Sequence, residues 1–510
     1  MLRPGEALDD AEPRRPRRNP RAGMARRALG AVALALLAAA CGTKTTEPSP
    51  GVATSHAGPA TAARAERTNL VLYVVDTLRA DHLGCYGYGR PTSPRLDEFA
   101  REAVRFAEAR AQSSWTKPAM ATLLTGLHPV THGAERRNQG IAPEVRTLAE
   151  RLSAAGYETA MFTTNPTVVE KFGFGRGFDR FEYVHQLRGR KRRSVDSAEM
   201  HRAATAWLDG RAAPARPFFL VVHTLDPHDP YRPQEPYRSR FAPGVDVASA
   251  CCFRGEQLTA LSAEQAATRR RDSLALYDGE IAQNDASFGR LVDDLRARGL
   301  LDRSAVVFTA DHGEEFHEHG GWRHAESLFE EVLRVPLVVR LPGGAPAGAT
   351  VADPADQIDL APTLLDLAGV AVPPELPGAS LLPVIGGGPA PPRESLAWLR
   401  HPAFEVTAIR DGSWKWLRHD GPPRAATSGV AGGAGLAGIA EPAEALYDLT
   451  ADPGELRNLL ATEPDRRRAL ALRVKAARAR LARVDRGEEA GEVEIDPELD
   501  AELRALGYLR

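Results

Sequence analysis

Cysteine is scarce in this chain, with four residues in 510. One of them, Cys41, belongs to an N-terminal segment considered below, and Cys85, Cys251 and Cys252 alone do not make a disulfide framework. Cys85 lies in a Gly/Tyr-rich turn and the adjacent pair in an apparent insertion, where small buried or partly oxidised residues are expected. Excess charge of either sign is missing too. Acidic side chains number 67 and basic ones 65, so no global field points to nucleic acid as a partner. No internal repeat is visible. What is present is an ordinary globular balance, 43% hydrophobic and 26% charged, long enough for one large α/β domain with an accessory piece.

The N-terminus does not read as fold. Residues 1–23 are rich in Arg and Pro and are expected to be an upstream extension, with translation starting at Met24. Residues 24–41 follow the order of an export signal: Met24-Ala-Arg-Arg, the apolar run Ala28–Leu37, then Ala38-Ala39-Ala40-Cys41. That run is too short to span a membrane comfortably as a permanent helix. The small residues before Cys41 resemble a bacterial lipobox, which implies lipidation at Cys41; a non-cleaved apolar anchor is the alternative. Either places the domain outside the cytoplasm and tethers it to a membrane. Residues 42–66, mostly Thr, Ser, Pro, Ala and Gly, read as a flexible spacer.

From Asn69 the pattern changes. Asn69–Val75 is a continuous β-branched run closed by Asp76, and similar runs occupy 159–163, 217–223, 304–310 and 335–340. Such runs read as strands buried on both faces. Helical patterns fall between them, at 94–108, 147–155, 197–211 and 277–299, with another at 356–368. Alternation of this kind predicts an α/β fold with a large, mostly parallel sheet flanked by helices. Ligands in such sheets sit beyond the carboxyl ends of the strands, where Asp76, His223 and Asp311-His312 all stand. Shorter strand-like pieces at 395–399, 405–410, 414–417 and 445–449 predict a small C-terminal antiparallel sheet. The expected division is a catalytic domain over 67–385, a subdomain over 386–460 with a disordered Gly/Ala loop at 425–440, and a helical tail over 461–510.

Three features carry chemistry. Asp76 ends the first strand, and Asp311-His312-Gly313-Glu314 follows another, so a carboxylate and an imidazole can share one divalent ion. The third is Ser114-Trp115-Thr116-Lys117-Pro118-Ala119-Met120, a helix start in which Thr116 is either a cap or a nucleophile. The two roles are compatible, because a helix start also directs backbone donors at an anion.

These blocks, in order, resemble the sulfatase family of the alkaline phosphatase superfamily. The resemblance rests on Val75-Asp-Thr-Leu-Arg-Ala-Asp-His-Leu-Gly-Cys-Tyr-Gly-Tyr88, Leu123-Leu-Thr-Gly126, Asp226-Pro-His-Asp-Pro-Tyr231, Asp311-His-Gly-Glu314 and Leu328–Leu337. Tail elements at Leu446–Leu449 and Asp452–Glu455 add to it. It implies an alkaline-phosphatase-like domain, a small C-terminal subdomain and a divalent metal at the strand ends. Two departures stand out. Working sulfatases oxidise a Cys or Ser to formylglycine, with Pro two places on and Arg two beyond; here Thr116 and Met120 hold the first and last places. Where two consecutive acids are usual, this chain has Asp76-Thr77. Both resemble the branch that uses an unmodified Thr as metal-activated nucleophile, chiefly on phosphate esters, and no formylglycine is expected.

The resemblance therefore implies Asp76, Asp311, His312 and Thr116 around a divalent ion, whether Ca, Mg, Mn or Zn. Lys117 is expected to pair with a nonbridging substrate oxygen, with plain solvation as the alternative. His228 and His324 are expected at the substrate, one of them protonating the leaving group. Asp226 is expected to contact substrate or, like His223, to help hold a second ion. His317 and His319 are expected at the rim rather than on a metal, and His82, His128 and His132 in structural roles. The basic run Arg188–Arg193 reads as a solvated loop or a dock for an anionic polymer or lipid headgroup. The function implied is hydrolysis of sulfate or phosphate esters, with an anionic glycan or lipid headgroup as substrate. Rivals are a phospho-group transferase of the cell envelope and a non-catalytic lipoprotein that binds an anion or glycan.

Overall fold

Strand β1 (Asn69–Val75) is buried along its whole length, as its unbroken apolar run requires. In a computed structural model it is the centre of an eight-stranded sheet. The structure describes residues 67–184, 196–251, 261–390, 393–421, 443–481 and 493–505. The upstream extension, the signal segment with Cys41, the spacer, the basic run, Cys252 and the 425–440 tract lie outside these residues. The other strands of the sheet are β2 (Val104–Phe106), β3 (Glu158–Thr163), β4 (Arg180–Tyr183), β5 (Phe218–Thr224), β6 (Ser304–Ala310), β7 (Leu337–Arg340) and β8 (Ala349–Val351). Their spatial order is β8-β2-β7-β6-β1-β5-β3-β4. Strands β1, β3, β4, β5 and β6 run parallel to one another, whereas β7 is antiparallel to β2 and β6. The sheet is thus mostly parallel, as expected.

Two local expectations are corrected. The helix foreseen over 94–108 stops at Ala100, and Val104-Arg-Phe106 enters the sheet with its outer residues buried and Arg105 half-buried. That alternation has the period of a strand. The run 335–340 is also split. Pro336 has no N–H for a ladder, so Arg334–Val335 pairs with Ala109–Arg110 while Leu337–Arg340 forms β7.

Helix α1 (Thr116–Thr125) is buried at every residue. Helix α2 (Ser197–Asp209) is capped by Asp196 and packs on α3 (Ala263–Ala297), whose start carries a Ser262/Gln265 capping box. The C-terminal sheet is an antiparallel meander of β9 (Ser395–Arg400), β10 (Glu405–Asp411), β11 (Trp414–Asp420) and β12 (Glu444–Asp448). Its own cluster of Trp398, Ile409, Trp416 and Leu446 packs on α4 (Pro464–Leu481) through Leu470 and Val474. Helix α5 (Pro497–Ala505) follows, with Leu499 and Leu503 buried. Cys85 is a free thiol and Cys251 is disulfide-bonded. No helix among the described residues is long and apolar enough to cross a membrane.

Candidate active site at the carboxyl edge of the sheet

The register brings the ends of four strands level: Val75 lies beside Thr224 and Ala310, and Thr163 beside His223. Residues that leave these strands therefore meet at one edge. Asp76 and Asp311 come off β1 and β6, and both carboxylates are fully buried. With His312, their ligand atoms lie within 4.8 Å of one another. Thr116 Oγ1 sits over this group, 3.5 Å from each Asp76 oxygen and 3.3 Å from His312 Nε2.

The surroundings set these side chains for a cation. His312 Nδ1–H donates to the Gly313 carbonyl at 2.8 Å, which leaves the Nε2 lone pair turned to Asp311 Oδ2 at 3.4 Å and Asp76 Oδ1 at 3.8 Å. Asp311 Oδ1 accepts from the Thr77 and His312 amides, at 3.1 and 2.7 Å. Its Oδ2 is buried with no hydrogen-bond partner. Thr77 holds a left-handed φ of 56°, a rare conformation for a β-branched residue. Where a second acid is usual, this chain thus supplies a backbone donor to Asp311.

Burial pushes Asp311 up to about 7, and burial with the neighbouring Asp311 charge pushes Asp76 well above the usual carboxylate range. Burial, then the nearby His324, drives His312 well below the ordinary imidazole range. Two buried carboxylates, a neutral imidazole and an orphaned carboxylate oxygen form a ligand set that a divalent cation would complete, and a cation would reverse the carboxylate shifts while keeping the imidazole neutral. The residues present fit such an ion.

Further buried side chains face the group. Asn165, just past β3, donates Nδ2–H to Asp76 Oδ2 at 2.7 Å and reaches Thr116 Oγ1 at 3.5 Å. Its Oδ1 accepts from the Thr167 amide and hydroxyl, which fixes the orientation of the side chain. His223 is held through Nδ1 by Thr163, and its buried Nε2 lies 3.7 Å from Asp76 Oδ2. His324 stands 4.6 Å from the His312 ring and 4.9 Å from the His228 ring, centroid to centroid. Its Nδ1–H donates to Glu314 at 2.9 Å, and Tyr231 donates to the other Glu314 oxygen at 3.0 Å. His228 Nδ1–H donates to the Asp229 carbonyl. Burial lowers His228 to about 4 and His324 to about 3, so both are neutral at rest.

The structure brings Asp76, Thr116, Asp311, His312, His228 and His324 together, while Lys117 and Asp226 are engaged elsewhere. The Lys117 ammonium is buried against the Phe172 ring at 3.3 Å and donates to the Arg137 carbonyl. Burial, then the Arg137 charge, lowers it well below the usual lysine range, and no carboxylate among the described residues offsets this. Neither solvation nor pairing over Thr116 describes it. Asp226 accepts from the Ser197 amide and Gln283 Nε2, at 3.1 and 3.0 Å, and ties α2 to α3. Thr116 is not a cap either: Trp115 holds the N-cap position and Thr116 is the first helical residue.

His319 is no rim residue. It is 4% exposed, stacks on Phe329 and shares a 2.6 Å hydrogen bond with Glu331. With Glu315 it forms a second group able to hold an ion, already closed as an ion pair. His317 stacks on Trp322. His82 and His132 are engaged by Asp278 and Thr122, and His128 packs on Trp398. Sequence reading overlooked Asn165; a polar residue two places past a central strand was the available signal.

Against this geometry, the sequence model of the sulfatase family matches residues 68–370. The chain belongs to the sulfatase family. It is an ester hydrolase by that membership, and sulfatases in general use a divalent ion, for which Asp76, Asp311 and His312 are the candidate ligands. It is 26% identical over 393 residues to an ulvan-active sulfatase of Formosa agariphila, covering 69% of this chain and 73% of that one. It is 28% identical over 440 residues to human arylsulfatase A, covering 77% and 83%. Among solved structures, a protein in complex with its substrate D-glucosamine-2-N,6-O-disulfate superposes with a TM-score of 0.66 and 22% identity, covering 83% of this chain and all of that one. The phosphonate monoester hydrolase of Agrobacterium radiobacter superposes with 0.64 and 23%, covering 84% and 100%. At these identities the structural likeness shows the fold.

Proposed function

We propose that this sulfatase-family hydrolase uses Thr116 unmodified as its nucleophile and acts on phosphate as well as sulfate esters. The observation that carries the reading is Thr116 Oγ1 directly over the Asp76/Asp311/His312 group. Threonine is no substrate for oxidation to formylglycine, and the arginine that accompanies formylglycine is here Met120, fully buried in the apolar core. When bound, a divalent ion lowers the pKa of a coordinated hydroxyl and offsets negative charge on the ester.

The chain's own residues supply the remainder. Oγ1 attacks the phosphorus or sulfur, the ester oxygen leaves with a proton, and Thr116 carries the group covalently. Water then releases the group and returns the proton to Oγ1. His228 and His324 have their Nδ1 atoms engaged, so each can take or give a proton at Nε2 as the leaving oxygen departs. The start of α1 adds backbone donors and the positive end of a ten-residue helix. The predicted domain limits and lipid anchoring at Cys41, which would put the enzyme at a bacterial membrane outside the cytoplasm, belong to the same proposal and rest on the N-terminal sequence.

The test is peptide mass mapping of the full chain, before and after an acid quench with p-nitrophenyl sulfate and bis(p-nitrophenyl) phosphate. An unmodified Thr116 that gains the substrate's sulfuryl or phosphoryl group supports the reading. A modified Thr116 or an adduct on another residue refutes it.

A further inference from the structure

The loop that carries His324 is strained on both sides of it. Arg323 and Ala325 hold left-handed φ angles of 74° and 64°, and His317, earlier in the loop, holds 71°. Residues other than glycine keep such a backbone only where their surroundings impose it. Within the loop, Glu315 accepts from the Gly321 amide at 2.7 Å and from the Ser327 hydroxyl at 3.3 Å. The loop ends at the short helix Glu330–Leu333, whose N-cap residue, Phe329, has no side-chain acceptor to offer. That helix also holds the beginning of the loop: the Gly313 and Glu314 amides donate to the Val332 and Glu331 carbonyls at 2.9 and 3.1 Å. Glu314 in turn accepts from His324 Nδ1 at 2.9 Å. The placement of His324 thus depends on the placement of this helix.

The C-terminal subdomain supplies the acceptor that the helix lacks. In the tail element Asp452-Pro-Gly-Glu455 the Glu455 amide donates back to the Asp452 carbonyl at 3.2 Å, and Glu455 takes a left-handed φ of 53°. Its Oε2 accepts from the Glu330 amide at 2.6 Å, and its Oε1 pairs with Lys415 of β11 at 2.8 Å. Lys415 also holds Glu330 at 3.0 Å, as Arg110 does at 2.8 Å. His319 Nε2–H donates to the Glu455 carbonyl at 3.3 Å while its Nδ1 bonds Glu331. Glu455, Lys415 and His319 are all buried. Resting on the reading that His324 passes a proton to the leaving oxygen, we propose that Glu455 is a positioning residue for that transfer. Through the helix Glu330–Leu333 and Glu314 it fixes where His324 Nε2 meets the ester, so the C-terminal subdomain completes the active site. No proton is gained or lost overall: the one that Oγ1 gives up in bonding to sulfur is made good on the ester oxygen, from Nε2, as its own bond to sulfur breaks.

The full-length chain and its variants are assayed for sulfate release from p-nitrophenyl sulfate, whose leaving group departs without a proton, and from hexyl sulfate, whose leaving group needs one. Expected for Glu455→Ala is a kcat/KM on hexyl sulfate lowered about tenfold or more relative to that on p-nitrophenyl sulfate. A loss of folded protein would lower both esters alike and leave the ratio unchanged. Glu455→Asp keeps a charge for Lys415 but withdraws the carboxylate by one methylene, and the same selective loss is expected. It decides the matter if Glu455→Ala does not fold. His324→Ala is expected to show the larger selective loss, and adding Glu455→Ala to it should change the ratio no further. A wild-type ratio in the folded Glu455 variants, beside a selective loss in His324→Ala, overturns the inference. So does a further selective loss in the double variant. A uniform loss in His324→Ala instead overturns the proton-transfer reading, and the positioning role falls with it.

Discussion

Replacing Thr116 should separate activity from stability. Its hydroxyl is surrounded at 3.3 to 3.5 Å by His312, Asp76 and Asn165, the long end of hydrogen-bond geometry, so these contacts contribute little to folding. Thr116→Ala also removes a buried methyl group, and the two losses together cost about 1–2 kcal/mol. Loss of a nucleophile is far larger, on the order of 10⁴-fold or more in kcat. Thr116→Ser keeps the hydroxyl but frees its χ1 rotation, so a drop of about tenfold is expected. The assay is kcat on bis(p-nitrophenyl) phosphate, with metal content and thermal midpoint measured on the same samples. If Thr116→Ala keeps wild-type metal content and more than about a tenth of wild-type activity, Oγ1 is not the attacking atom.

Gly313→Ala should disrupt the turn that carries His312. An added Cβ would meet the Glu331 carbonyl oxygen at 2.1 Å, backbone that cannot rotate away; a loss of about 2–4 kcal/mol and weaker metal binding are expected in calorimetry and elemental analysis. His319 should make stability fall at alkaline pH: burial opposes its charge, but the Glu331 hydrogen bond and the charges of Glu331, Glu455 and Glu315 together outweigh burial and raise it to about 9. A raised folded pKa stabilises fully below the unfolded value near 6.5 and is lost as pH rises through about 9, so about 3 kcal/mol should vanish over that window and be absent in His319→Gln. Coincident wild-type and variant melting profiles from pH 6 to 9.5 would contradict this. His324→Ala should slow alkyl esters about 10²–10⁴-fold but p-nitrophenyl esters much less, because nitrophenolate leaves without a proton. A uniform loss across leaving groups would remove His324 from proton transfer.

The central strands were legible because burial on both faces leaves an unbroken apolar run, and the polar residue that closes each run has nowhere to go but the sheet edge. That logic found Asp76, His223 and Asp311 without any contact being known. It fails one residue further on. Lys117 is next to Thr116 in sequence, but successive helical side chains point about 100° apart, so the neighbour of the nucleophile is turned away from the ester that the nucleophile faces. Asp226 fails in the same way: it shares a loop with His228 but its carboxylate is taken by Ser197 and Gln283, donors from helices far along the chain. Asn165 was hidden for the opposite reason. Thr163-Thr164-Asn165-Pro166 reads as turn chemistry, and only the register of Thr163 beside His223 carries its amide to Asp76. Residue type at a strand end thus locates the site, whereas direction within it is set by partners that local spacing does not encode.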